Sequence, residues 1–363
     1  MHSVEGKIID KNTIKDGTII FNEKIEDLIF EKNLNYKQFV IPGFIDLHCH
    51  GGNGHDTMQG LQSIIKLSQY HLSNGTTTLF PTTVTDTKKN ISFALNGLNN
   101  YLSSNEKQSN IEGVHLEGPF INPNKLGAQP PFAQSPDLEF VRNLQKQAPI
   151  KIITIAPEIE GGLEFISKMI EIKIKPQIGH TLADLELCNF SIKKGAQSFT
   201  HLFNAMSGFN HRNPGAVASA LSNLNYSEII CDLIHVHPEM IKLAYKNIKN
   251  LYAITDCVSA SGLEDGQYDL GVHKVYKENN IVKLNNNLAG SILTMHQAFK
   301  NLVKIGFSMV EAVQMTSTNA SKYLNKKDIG NLNVGSQANL LVLDKDLNIF
   351  KVFLHGKEVK IHL

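Results

Sequence analysis

The 363-residue sequence has almost no excess charge of either sign: 35 Lys and Arg stand against 34 Asp and Glu, a formal net charge of +1. Such a balance supplies no field to hold nucleic acid or an anionic membrane non-specifically, so neither is expected as a partner. Arginine is scarce. Only Arg142 and Arg212 occur, which leaves 35 − 2 = 33 lysines. An arginine kept in so lysine-rich a chain is expected to serve through its planar fork of donors. Cysteine is sparse too: Cys49, Cys188, Cys231 and Cys257 lie far apart and form no CxxC pair. That argues against a zinc ribbon or a disulfide framework and for free thiols in a reducing compartment. No apolar run approaches the ~18–20 residues of a membrane span, and the opening MHSVEGKIID has no apolar signal core. A cytoplasmic location is expected. Repeats, low-complexity tracts and long linkers are also missing.

What remains is core material. Hydrophobic residues make up 42% and charged residues 19%, which suits a globular chain with a large interior. The length allows two or three ordinary domains, or one barrel with additions. Residues 1 to about 40 read as short strands (GKIID, GTIIF, KIEDLIF, KQFVI), with Asp16-Gly17 as a turn signal. The C-terminal end reads similarly: QANLLVLD, IFKVFLHG, KEVKIHL. Two β-rich ends that lie close together predict a small β-sandwich domain from residues 1–40 plus 326–363.

The middle, 41–325, alternates strand-like runs with helical stretches. Eight strand candidates occur: PGFIDLH, TTTLFPT, IEGVHLE, KIITIAP, KIKPQIGH, SFTHLF, SEIICDLIHV and LYAITD. Helical stretches such as 63–72, 163–172 and 238–248 separate most of them. Eight βα units over this length predict an α/β fold of the (β/α)8 TIM-barrel type, with a doubly wound open sheet as the alternative.

The polar residues are informative when taken strand by strand. The first candidate ends in Asp46-Leu47-His48-Cys49-His50. Residues i and i+2 of a strand share a face, so His48 and His50 could hold one ion while Cys49 points away into packing. Later candidates end in His115-Leu116-Glu117, Gly179-His180-Thr181, Thr200-His201-Leu202 and Thr255-Asp256. In a barrel those C-terminal ends converge on one mouth. A His/Glu/Asp set without thiolate suits Zn²⁺, Fe²⁺, Mn²⁺ or Co²⁺.

The motifs PGFIDLHCHGG, HLEGPFINP, IGHT, THLFNAMSG, HRNPGAVASAL, ITDCVSASG and LAGSILTM together resemble the N-acetylglucosamine-6-phosphate deacetylase family, of the amidohydrolase superfamily. The resemblance implies a metal-dependent hydrolysis of N-acetyl-D-glucosamine 6-phosphate to D-glucosamine 6-phosphate and acetate. It assigns Glu117, His180 and His201 as ligands of the main ion. His48 and His50 match positions that hold a second ion in some members, so one or two divalent ions per chain are expected. Asp256 matches the catalytic aspartate that takes a proton from water and delivers it to the leaving nitrogen. His235 matches a histidine that contacts substrate and helps hold the oxyanion, whereas His237 is expected at a surface or helix start. Asn204 and Ala205 match backbone donors to the phosphate. Arg212 matches an arginine that reaches it, from the neighbouring subunit in dimeric members, so a homodimer is expected. His211 beside it has no assigned role.

One departure stands out. The family commonly reads Lys-Gly-Ala-His after EGPF, with the histidine near substrate; this chain reads Lys125-Leu126-Gly127-Ala128-Gln129. Gln129 still donates a hydrogen bond but carries no charge, which bears on substrate preference. The stretch Gln129-Pro130-Pro131-Phe132 is expected as a loop near the mouth, and could serve as a lid. Competing readings are another amidohydrolase (a D-aminoacylase, dihydroorotase or deaminase) and a non-catalytic metal-binding barrel.

Overall fold

The computed structural model describes residues 1–31 and 36–360. Strands β1 (His2–Ile9), β2 (Ile14–Phe21) and β3 (Ile25–Phe30) form an antiparallel meander, and β4 (Phe39–Pro42) pairs parallel to β1. The first turn is made by Asp10, whose Oδ1 accepts the N–H groups of Asn12 and Thr13 at 2.7 and 2.8 Å, an Asx turn. The turn expected at Asp16-Gly17 is not there. Those residues lie inside β2, where Gly17 is needed because a Cβ would run into the Ile29 carbonyl of β3.

The chain then enters the alternating region. Its strands are β5 (Phe44–Cys49), β6 (Thr76–Pro81), β7 (Val114–Glu117), β8 (Ile150–Ile155), β9 (Lys175–Ile178), β10 (Ser198–Phe199), β11 (Tyr226–Ile230) and β12 (Asn250–Ile254). Each overlaps a run read from sequence, with β5, β8, β11 and β12 reaching one residue beyond it. Parallel ladders join β5 to β6, β7 through β10 in chain order, and β11 to β12. Single links continue between these groups: Leu79 N–H donates to the Asn110 carbonyl, Leu202 N–H to Glu228 at 3.0 Å, and Asp256 N–H to His48 at 2.9 Å. The strands are apolar along most of their length because both faces are covered. Helices pack outside them. In Leu61–Ser73 the residues Ile64, Ile65, Leu67, Ser68, His71 and Leu72 are buried, at the three- and four-residue spacing of one helical face. In Pro238–Asn247, proline opens the first turn and the His237 side chain accepts the Glu239 N–H, a helix start as expected.

After β12 comes an insertion the sequence reading missed: β13 (Gly266–Leu270), β14 (His273–Glu278), β15 (Ile281–Leu284) and β16 (Asn287–Leu288), an antiparallel sheet. The signal was present. Glu278 pairs with Ile281 across Asn279-Asn280, both at positive φ (47° and 69°), the two-residue turn that asparagine tolerates. The insertion's Gly271 packs on Pro130, so the loop at 129–132 is held from above.

The chain returns to the first sheet through β17 (Leu340–Leu343), β18 (Ile349–Leu354) and β19 (Lys357–Val359), giving the order β19-β18-β17-β4-β1-β2-β3. The end of the KEVKIHL run, 361–363, lies outside the described residues. Val4, Ile8, Ile19, Val40, Leu340 and Phe353 are part of a core of their own, separate from the larger interior of the alternating region. Among the described residues no helix is long and apolar enough to cross a membrane.

Candidate metal centre and active site

β5 ends in alternation, so His48 and His50 turn inward together, with their Nε2 atoms 3.3 Å apart. Cys49 faces the other way; its Sγ lies 3.1 Å from His71 Nε2 and donates to the Gly51 carbonyl at 3.4 Å. Glu117 is the last residue of β7. His180, His201 and Asp256 each stand two residues past the end of β9, β10 and β12. All three adopt positive φ (49°, 31° and 49°). A left-handed residue is rare outside glycine and costs about 1–3 kcal/mol when the fold imposes it. The same strained turn is therefore made three times, each time at a side chain aimed into the same centre.

Glu117 links the two histidine pairs. Its Oε1 lies 3.2 Å from His180 Nε2 and 2.9 Å from His201 Nε2, which are themselves 3.1 Å apart. Its Oε2 lies 3.1 Å from His50 Nε2 and 3.5 Å from His48 Nε2. Asp256 Oδ1 completes the second side, 3.3 Å from His50 and 3.5 Å from His48.

The tautomers follow from the outer partners. His180 Nδ1 meets the Lys125 carbonyl at 2.8 Å, His50 Nδ1 the Thr82 carbonyl at 3.2 Å, and His48 Nδ1 the Glu228 carboxylate at 3.0 Å. Each acceptor requires an N–H, so in the neutral ring each Nε2 presents a lone pair to the centre. His201 Nδ1 is buried and has no hydrogen-bond partner among the described residues.

Lone pairs and carboxylates converging this closely require positive charge between them. Burial alone would lower His50, yet Asp256 and Glu117 raise it to about 9. Asp256, pushed up by burial, is drawn down to about 2 by the hydrogen bond from His50 and the neighbouring imidazole charges. A divalent ion meets the same demand. Two donors at ~2.0–2.1 Å from one tetrahedral ion lie roughly 3.4 Å apart, which is close to the donor separations here. The residues therefore fit a metal on both sides of Glu117.

These groups line one cavity of about 640 Å³ including its open mouth, within the ~300–1,000 Å³ usual for small-molecule sites. His50, Glu117, Gln129, His180, His201, Asn204, Ala205, His235 and Asp256 all face it. His48 sits just beneath, fully buried. Phe203 and Ala205 also take positive φ (82° and 50°), so the chain from His201 to Ala205 alternates in hand, a backbone form that makes anion-binding concavities. Within it the Asn204 N–H is turned to the His201 carbonyl at 3.0 Å. Arg212 does not join its own chain's cavity. It is exposed on the loop before the helix Ala216–Asn223, as is His211.

Three acidic residues escaped the sequence reading. Asp232 Oδ2 holds His235 Nδ1 at 2.6 Å, and despite burial its carboxyl is drawn below the usual range by that bond. Glu158 accepts from Asn122 Nδ2 at 2.7 Å and Leu182 N–H at 2.6 Å, tying down the segment that follows His180. Glu228 lies fully buried within β11 against His48. Its signal was a carboxylate inside the apolar run SEIIC, since acidic residues are almost never buried unpaired. His115 is different: its Nδ1 meets the Leu47 carbonyl at 3.2 Å and its Nε2 meets Thr154 Oγ1 at 2.8 Å, so both nitrogens are used.

The amidohydrolase family model matches residues 39–359. An N-acetylglucosamine-6-phosphate deacetylase of Bacillus subtilis is 37% identical over 330 residues, 87% of this chain and 83% of that protein. An N-acetylgalactosamine-6-phosphate deacetylase of Escherichia coli O157:H7 is 30% identical over 353 residues, 95% of this chain and 93% of that one. A crystallised Mycobacterium smegmatis N-acetyl-D-glucosamine-6-phosphate deacetylase mutant, in complex with N-acetyl-D-glucosamine 6-phosphate, superposes with a TM-score of 0.91. It is 26% identical, and 98% of each chain is covered.

Proposed function

This chain belongs to the amidohydrolase family, and from that premise we propose that it hydrolyses N-acetyl-D-glucosamine 6-phosphate to D-glucosamine 6-phosphate and acetate. The observation that carries the reading is Glu117 set between two histidine pairs, with Asp256 beside it, on the cavity that His235 and the 201–205 segment also line. The eight parallel strands are read as a closed (β/α)8 barrel over 41–325; the link from Asp256 back to His48 supports closure. Residues 1–40 and 326–363 are assigned to a small β-sandwich domain, supported by its separate core.

Glu117, His180 and His201 would hold one divalent ion (Zn, Fe, Mn or Co), and His48 and His50 with Glu117 a second. Such an ion supplies Lewis acidity toward the acetamide and lowers the pKa of water to ~7. Asp256, held ionised by the imidazoles around it, accepts the proton of the attacking water at Oδ1 and returns it to the departing amine nitrogen. Asp232 fixes His235 through Nδ1, so that Nε2 faces the cavity and, when protonated, donates to the acetyl oxygen. The alternating backbone at Asn204 and Ala205 is assigned to the phosphate, with Ala205 offering its N–H and the Asn204 N–H having first to leave the His201 carbonyl it meets at 3.0 Å. Arg212, exposed and charged, is assigned to the phosphate site of a second copy in a homodimer, where its fork suits that group. Buried free thiols at all four cysteines suit a cytoplasmic location.

The test is acetate release from N-acetylglucosamine 6-phosphate, its galactosamine epimer, unphosphorylated N-acetylglucosamine and an N-acetyl-D-amino acid. Preference for the phosphorylated glucosamine is expected; preference for its epimer would select the second reading that the E. coli relative suggests. Equal turnover of the unphosphorylated sugar removes the phosphate site, and no release from either phosphate overturns the proposal. Asp256→Asn should keep its metal and lose ~10²–10⁴-fold in kcat.

A further inference from the structure

Gln129 stands where the family resemblance places a substrate-side histidine, but its contacts point inward. The side-chain Oε1 accepts the backbone N–H of Thr85 at 2.6 Å. A backbone N–H can face only an acceptor, so the amide cannot be flipped. Its NH₂ group is therefore aimed at Glu117 Oε2, which it meets in a short hydrogen bond. The anchor is itself fixed. Thr85 packs against Gly118, the residue next to Glu117, so closely that any Cβ at 118 would displace it, and Gly118 takes a φ of 72°. Thr85, Gln129, Glu117 and Gly118 thus close a ring around one carboxylate.

That ring decides how the carboxylate is presented. With Oε2 held by Gln129, Oε1 is left to His180 and His201, and the remaining lone pair of Oε2 points toward His48 and His50. An untethered carboxylate is free to rotate and give both oxygens to a single ion. We propose that Gln129 is a positioning residue that holds Glu117 in its bridging orientation, and so controls occupancy of the ion site at His48 and His50. This rests on the metal-centre reading above. It also gives the departure from histidine a chemical sense: a neutral imidazole, with one donor and one acceptor, can supply the two bonds that the glutamine amide makes here through one N–H and its oxygen.

The experiment dialyses the purified full-length protein against graded Zn²⁺ buffers and counts bound zinc per chain, without substrate. Wild type should take up two ions. Gln129→Met, similar in length and without a donor, should bind the first ion as wild type does and the second ~10–100-fold more weakly, the usual cost of losing a partner behind a ligand. Gln129→Ala repeats the measurement should the Met variant not fold, and Gln129→His should restore the second ion. One zinc per wild-type chain, unchanged binding in the donor-less variants, equal weakening of both ions, or failure of the histidine variant to rescue would each overturn the proposal. A wild type with two ions that releases no acetate overturns the deacetylase reading and leaves this one standing.

Discussion

The two histidine pairs are built in opposite ways. His48 and His50 belong to one strand end; extended alternation alone turns both inward, and Glu228 and the Thr82 carbonyl set their tautomers. His180 and His201 come from separate strand ends, each brought to the centre by a left-handed residue. The first pair costs the backbone little. The second holds strain of about 1–3 kcal/mol per residue that the surrounding fold has to sustain. The strained pair also shares its carboxylate oxygen more closely, at 2.9 and 3.2 Å against 3.1 and 3.5 Å. The costly geometry falls where the tighter ion is assigned, while the relaxed pair offers a second position.

Breaking the element common to both pairs should have the largest effect. Glu117→Ala removes the only carboxylate among the described residues that reaches all four Nε2 atoms, so both ions should be lost and acetate release should fall to background, checked by metal analysis beside the assay. Full zinc occupancy in this variant would mean that the pairs bind independently. Smaller and asymmetric effects separate the pairs. His201→Asn should cost the first ion more than ~100-fold in affinity, since loss of an outer partner alone costs ~10–100-fold. His50→Asn should empty the second position and leave one ion and measurable turnover. The reverse ranking, with His50 indispensable and His201 dispensable, would exchange the roles of the two pairs.

The same contrast explains what the sequence disclosed. His48 and His50 were legible because a period of two is a local rule that needs no tertiary knowledge. His180, His201 and Asp256 could be placed only by assuming a barrel mouth, and nothing local announces their left-handed turns. The eight strands were legible as apolar runs between amphipathic helices. The insertion at 266–288 was not, although its Asn-Asn turn is a recognisable sign. Asp16-Gly17 misled in the other direction, because its glycine serves a close approach between strands. Arg212 is legible as a motif, yet its own chain gives it no place at the cavity. The outer carboxylates Glu158 and Glu228 were missed because each acts through residues distant in sequence, whereas Asp232 was missed although the His235 it holds is only three residues on.

Glu228 tests the relaxed pair most finely. It is fully buried, accepts from His48 Nδ1 at 3.0 Å and from the His201 backbone N–H at 3.3 Å, and is held in its charged form against burial by His48 first and then His115 and His201. Glu228→Gln keeps an oxygen for the His48 N–H and nearly the same volume, but removes the charge that makes His48 a stronger donor to an ion. The expected result is weaker binding of the second ion by ~10-fold, the low end for an outer partner, with the first ion unchanged. Metal occupancy measured across graded zinc buffers decides this. Equal weakening of both ions would mean that Glu228 works mainly through the His201 backbone, and the two pairs would then be coupled from beneath as well as through Glu117.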